Sequence, residues 1–237
     1  MLKFFRKIRY DLMEKNKTGK YLKYAIGEIV LVMIGILLAL QVTNWNEQRK
    51  KNDDLKIALA QILNDLKQDE LNLKEFESSN LKRVSYLTKL SNGDYENIAL
   101  DSLFYNLDDY FYFYKSNNSY AGLKANGMFS AMKNIELKNN MTSYYEQMYE
   151  RLKTVSQYGE TFTNDRVIPF VLNNTDFDQN LSVTDELVKE KIKTTNLLQL
   201  AKYQIYVKKF SLNLMKSAIE MNIALREEIQ KEIEILK

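Results

Sequence analysis

The chain has no histidine, no cysteine and one proline among 237 residues. Each absence removes chemistry. Without histidine there is no serine–histidine triad, no imidazole zinc site and no axial haem histidine. Without cysteine there is no thiol nucleophile, no disulfide and no lipoprotein anchor. The missing thiols leave the redox compartment open. A glycine-rich phosphate loop with its lysine is also absent from a chain with seven glycines. Neither a cofactor nor a metal is expected.

Two carboxylate pairs remain, Asp108-Asp109 and Asp176 with Asp178. The second, beside Asn173 and Asn174, has oxygen ligands for calcium but lacks the EF-hand spacing and its closing glutamate, so a turn is the simpler reading. Of 16 tyrosines, Tyr105, Tyr110, Tyr112 and Tyr114 are clustered. They can line a ligand groove, or fill helix contacts with their hydroxyls at the rim.

One long apolar run stands out. Ile29 to Leu40 has no polar side chain, and it lies inside a stretch from Tyr24 to Thr43. At about 1.5 Å per residue, that stretch covers roughly the 30 Å of a bilayer's hydrocarbon. Tyr21 and Tyr24 flank one end and Trp45 the other, as rings do at two membrane–water interfaces. A cleaved signal peptide fits poorly, because the charged region before the run extends from Met1 to Lys23 and no small-x-small site follows Leu40. The expectation is an uncleaved signal anchor in three parts: a basic arm (1–20), a transmembrane helix (21–45) and an extracytoplasmic helical domain (46–237).

Charge gives the orientation. The chain is +3 overall, but the segment from Met1 to Lys23 is +6, with Lys3, Arg6, Lys7, Arg9, Lys15, Lys17, Lys20 and Lys23 against Asp11 and Glu14. The rest is therefore −3, and the basic arm is expected in the cytoplasm. The basic balance reports this arm and does not call for nucleic acid. Leu2, Phe5, Ile8 and Leu12 recur at helical spacing. They suit either a short helix on the anionic leaflet or a disordered topogenic arm.

Glu28 lies one turn from Tyr24, inside the span. It can pair with Lys20 or Lys23, face another protein's polar group, or carry a proton or cation. Gly27, Gly35 and Ala39 fall near one face, and Gly35 with Ala39 makes a small-x-x-x-small step for helix packing.

The residues Lys3-Phe4-Phe5-Arg6-Lys7-Ile8-Arg9, then Tyr24-Ala25-Ile26-Gly27-Glu28-Ile29-Val30-Leu31-Val32, Ile34-Gly35-Ile36-Leu37 and Asn44-Trp45-Asn46-Glu47, resemble a widespread family of uncharacterised bacterial membrane proteins. Its members carry a KFFRKIR arm, a YAIGEIVLVVIGILIALQ span and an NNWNE exit. The likeness covers residues 3–50, with Met33 and Thr43 departing from the usual residues. A looser likeness runs from Tyr120, through Gly127 and Lys133-Asn134, to Tyr144-Tyr145. The resemblance implies an inner-membrane, single-pass protein with a helical external domain and supplies no reaction.

Beyond the span, apolar residues at Leu55, Leu59, Ile62, Leu66, Leu73, Phe76, Leu87 and Leu90 predict a helix from Gln41 to about Ser91. Asp69, Asn80 and Arg83 interrupt that stripe, which suits a bundle better than a two-stranded coiled coil. A second helix is expected over Ala99–Tyr114, short helices over Ser119–Asn134, and a third long helix from Glu136 to about Tyr158. A polar connection is expected from Gly159 to Thr184, around Pro169, with room for a short helix around Val167 to Leu172. The last helix is expected from about Thr184 to Leu236, with a break near Thr194-Thr195-Asn196. The fold class is all-α, an antiparallel bundle of about four long helices standing on the membrane.

The functional expectation is a non-enzymatic, membrane-anchored envelope protein, a scaffold or sensor binding a protein partner or itself. The alternative is a subunit of an ion-coupled membrane complex that uses Glu28; an enzyme with acids in a cleft comes third.

Overall fold

The computed structural model describes residues 10, 18–95, 98, 100–176, 192 and 194–236. The expected arm helix over Leu2 to Leu12, Asp178 of the second acidic pair, and the start of the last helix near Thr184 lie outside the described residues. Among those described, every regular element is helical. In chain order these are α1 (Thr18–Ser91), α2 (Leu100–Leu107), α3 (Asn118–Ala125), α4 (Met128–Ala131) and α5 (Ile135–Thr142), then α6 (Tyr149–Phe162), α7 (Ile168–Asn174) and α8 (Leu197–Ile235). Two π-helical turns, Ser143–Met148 and Thr163–Val167, join α5, α6 and α7 into one continuous helical run. The chain divides into two compact units, Met1–Leu55 and Lys56–Lys237, with the boundary inside α1.

In the first unit, α1 presents its apolar side chains outward. Ile29 is 65% and Leu31 70% exposed, and Ile34, Leu37 and Leu40 are also exposed. It is the one described helix long and apolar enough to cross a membrane, and none of its 18-residue apolar window is buried. That fits a single-pass membrane protein.

The second unit has a core of its own. Of the stripe expected on α1, Leu59, Ile62, Leu66, Leu73, Leu87 and Leu90 are buried, and Leu55 and Phe76 are half-buried. They meet α8, which runs antiparallel to α1: Asn222 bonds the Leu66 carbonyl, Lys208 reaches Asn80, and Leu200 packs with Leu87 and Leu90. The α5–α7 run lies parallel to α1, because Tyr144 reaches Asp69 while Val167 joins the Leu87 cluster. Residues 100–134 descend between them, so the unit is an up-down-up-down bundle. Its second limb is short helices and an extended stretch.

The expected helix over Ala99–Tyr114 therefore ends at Leu107, and distance explains why. Asp109 pairs with Arg83, and the Ser119 N–H donates to Asp65. Those α1 partners are about 18 residues, roughly 27 Å, apart along the helix. Ten residues of helix cover only about 15 Å, whereas ten extended residues cover about 33 Å. The chain must be extended to make both contacts. Its side chains alternate accordingly: Phe111 is buried, Tyr112 and Tyr114 exposed.

The expected polar connection after Tyr158 is helical as far as Asn174, and the short helix expected around Val167 to Leu172 corresponds to α7. Gly159 does not stop the helix; it is a contact. A Cβ there would stand 3.2 Å from Tyr110 Cβ, so glycine lets the extended limb lie close to α6. Pro169 lies just after the second π turn, where its missing N–H falls at an existing irregularity of the helical ladder. The break near Thr194–Asn196 is present, with Asn196 at the N-cap of α8.

These two glycine environments make opposite predictions. Gly122 in α3 is exposed with nothing within 4 Å of a Cβ. Gly122→Ala is expected to raise stability by about 0.5–1 kcal/mol through helix propensity. Gly159→Val is expected to lower it by about 1–3 kcal/mol through overpacking against Tyr110. Denaturant unfolding of the full chain in detergent micelles measures both.

Candidate functional site

The residues singled out along the span sit in sequence order on one helix and do not converge. Lys3, Arg6, Lys7 and Arg9 lie outside the described residues, and Lys20 and Tyr21 occupy the first turns of α1. Lys23, Tyr24, Gly27, Gly35, Ala39 and Trp45 lie along α1 with Glu28 among them, and Tyr24 and Trp45 are well exposed. A Cβ at Gly27 or Gly35 would meet nothing within 4 Å. Trp45 carries the Arg49 guanidinium 5.7 Å from its ring centre.

Convergent polar groups occur instead inside the bundle, in two layers. The lower layer centres on Asp69, which is 3% exposed. Its carboxylate accepts hydrogen bonds from the hydroxyls of Tyr149 and of Tyr144, the latter at 3.2 Å. The Asn222 amide donates to the Tyr144 hydroxyl and to the Leu66 carbonyl, both at 2.9 Å. Arg226 Nε donates to the Asn222 amide oxygen at 3.0 Å, and its guanidinium pairs with Glu70. The network thus links α1, the helical run and α8. It joins the extended limb too, through the Tyr149 hydroxyl, which lies 3.3 Å from the Ser116 carbonyl.

Burial raises the Asp69 carboxyl above the usual range, against the hydrogen bonds from Tyr149 and Tyr144, which lower it. Burial also raises both tyrosine hydroxyls, and the Asp69 charge adds to the effect, so they remain donors at any physiological pH.

The upper layer centres on Lys208, which is 3% exposed in the middle of α8. Its ammonium donates to the Asp109 carbonyl at 2.6 Å and lies 3.9 Å from the Asp109 carboxylate. Arg83 holds that carboxylate at 2.5 Å and also donates to Ser79 Oγ. Gln204 donates to the Leu107 carbonyl at 2.6 Å. The start of the extended limb is therefore held by side chains from α1 and α8. Burial pushes the Lys208 amine down to about 8, with the Asp109 carboxylate opposing.

Between the layers a cleft of about 340 Å³ opens along α1, from Asp69 to Arg83. One wall is the α1 face with Asn72, Glu75, Phe76 and Ser79; the other is the extended limb from Asp109 to Tyr114. Phe76 and Phe111 floor it edge to face, with ring centres 5.0 Å apart. This volume is in the range of small-ligand pockets, with an apolar floor and a few polar groups. Among the described residues, no group of three or more acidic side chains is placed to hold a metal ion.

Part of this site is visible in the sequence. Asp69 and Arg83 break the α1 stripe, and Tyr114 is one of the four clustered tyrosines. Of the others, Tyr110 packs on Gly159, and Tyr105 and Tyr112 face outward. The sequence reading does not single out Lys208, Gln204 or Asn222, although a signal exists for two of them: Gln204 and Asn222 each have apolar residues three positions to either side.

Residues 28–164 match the Family of unknown function (DUF6090). The chain belongs to this family. The match begins at Glu28 in the span and takes in both walls of the cleft and Asp69 with its tyrosines. It ends before Lys208 and Asn222. No curated protein and no solved structure matches the chain.

Two outcomes are expected. Asn222→Ala should cost about 1–3 kcal/mol in denaturant unfolding, since it removes the donor to the Tyr144 hydroxyl, the side-chain bond to the Leu66 carbonyl and the acceptor of Arg226 Nε. For Lys208, the folded pKa lies below the unfolded value near 10.5. Between about pH 8 and 10 the unfolded chain then holds more protons than the folded one, so stability rises with pH. The rise should approach about 1.4 kcal/mol per pH unit and be absent in Lys208→Met. Parallel curves for the two proteins would refute the assignment.

Proposed function

We propose that this protein is a single-pass, signal-anchored membrane protein. In this reading its basic N-terminal arm lies in the cytoplasm, and residues 46–237 form an extracytoplasmic, non-enzymatic interaction bundle. The observation that carries the reading is the uncovered apolar surface of α1, none of whose 18-residue apolar window is buried. About ten large aliphatic side chains there are worth on the order of 20 kcal/mol when removed from water. A bilayer is the solvent that supplies this along a single helix. The +6 charge between Met1 and Lys23 supports the cytoplasmic placement of the arm. The likeness of the arm and span to bacterial inner-membrane proteins supports the same location.

The interaction role rests on the bundle's own core and on a cleft whose walls both fall in the family match. The non-enzymatic part rests on composition, since the chain offers neither imidazole nor thiol. Its partner is another envelope protein or a second copy.

Fractionation and protease access test the topology together. The chain should stay with membranes through alkaline extraction. Protease added to intact spheroplasts should remove the bundle while a cytoplasmic marker survives. A bundle protected in intact spheroplasts, or a chain released by alkali, would overturn the proposal.

A further inference from the structure

A second opening lies on the surface of the second unit, between α6 with the π turn that follows it and the start of α8. It is a groove of about 640 Å³ lined by eight residues. Aromatic rings dominate it. Tyr158 of α6 and Tyr203 of α8 are joined by a hydrogen bond between their hydroxyls, and the Phe162 ring centre stands 4.8 Å from that of Tyr203. The row continues along α8. Tyr206 has its ring centre 6.0 Å from Tyr203 and is 63% exposed, and Phe210, one turn on, is 55% exposed. Positions 203, 206 and 210 share one helix face and extend the row over about 10 Å.

The lining is otherwise polar: six of its eight residues carry polar groups. Thr161, Asp165, Arg166 and Gln199 are exposed, and among the described residues their side chains make no hydrogen bond or ion pair. An apolar partner face would take these groups out of water without replacing its hydrogen bonds. A polyhydroxylated ligand replaces them, because each hydroxyl both donates and accepts. The rings suit the same ligand, since the C–H face of a sugar packs on an aromatic face while its hydroxyls stay at the rim.

Charge narrows the class further. From Leu197 to Ile219, α8 carries Lys202, Lys208, Lys209 and Lys216 and no acidic residue. Lys202 and Lys209, each next to a ring of the row, are exposed. With Arg166 they outnumber the one carboxylate of the groove, Asp165. From these features we infer that the groove binds an anionic polysaccharide. Sugar rings stack along Tyr203, Tyr206 and Phe210, hydroxyls bond Asp165 and Gln199, and the sugar carboxylates meet Lys202, Lys209 and Arg166.

This binding function stands apart from the protein-partner reading and does not depend on membrane topology. The probe is trigalacturonic acid, titrated calorimetrically onto the full chain in a detergent without a sugar headgroup. Saturation is expected below about 1 mM. The peptide acetyl-Glu-Glu-Glu-amide has the same charge but no sugar ring, and should bind at least about tenfold more weakly. Tyr206→Ala removes an exposed ring and should weaken trigalacturonate about tenfold. Gln199→Leu, similar in size but without the amide, should weaken it as well. Replacing Lys202 and Lys209 together by glutamine should reduce the preference for trigalacturonate over uncharged maltotriose. Equal binding of the glutamate peptide would mark charge attraction alone, and binding untouched by Tyr206→Ala would mark a different site. Either result overturns the inference, as does absence of saturation up to about 1 mM. None of these outcomes bears on the protease-access test of the anchor.

Discussion

A carboxylate in the middle of a bundle is the constraint on which the rest of the second unit depends. Withdrawing Asp69 from water costs several kcal/mol unless donors replace the lost hydration. Those donors come from elsewhere in the chain: two tyrosines of the helical run, with Asn222 of α8 acting through Tyr144. Apolar ridges alone would let helices slide by a turn at modest cost. A slide of one turn, about 5.4 Å, would strand the carboxylate and its tyrosines together. The network thus sets the register that the leucine stripes leave open.

The upper layer applies the same logic to a cation. Lys208 is held among a carbonyl, an amide oxygen and a carboxylate already committed to Arg83. Burial is the largest cause of its lowered pKa, as it is of the raised Asp69 carboxyl, and the Asp109 carboxylate opposes it only in part. Gln204 and Lys208 together grip the carbonyls of Leu107 and Asp109, where helix gives way to extended chain. The polar groups of α8 therefore shape the far wall of the cleft without lining it.

Much of this architecture is legible in the sequence, and the failures have physical causes. The apolar run and the stripe of α1 are readable because periodicity reports burial directly. Asp69, Asn80 and Arg83 are readable as interruptions, though not as members of two separate networks. The Phe111-Tyr112-Phe113-Tyr114 stretch has the two-residue period of an extended chain. The expectation there is nonetheless helix, because the distance this stretch must bridge is set by tertiary partners at Asp65 and Arg83. Gly159 and Pro169 read locally as breakers. One is a close approach to Tyr110, the other lies just after a π turn, and both depend on surroundings that local sequence does not display. The cleft itself, formed by α1 and a limb that follows α2, has no signature in either segment alone.

The two π turns carry a consequence for chain length. Each houses one residue more than an α turn in the same stretch, and the first puts Tyr144, Tyr145 and Met148 all into the interior. Losing a residue at either place would tighten the coil to ordinary pitch and leave everything after it in phase with its neighbours. The helical run thus contains two slip joints, where sequences of slightly different length can build the same scaffold.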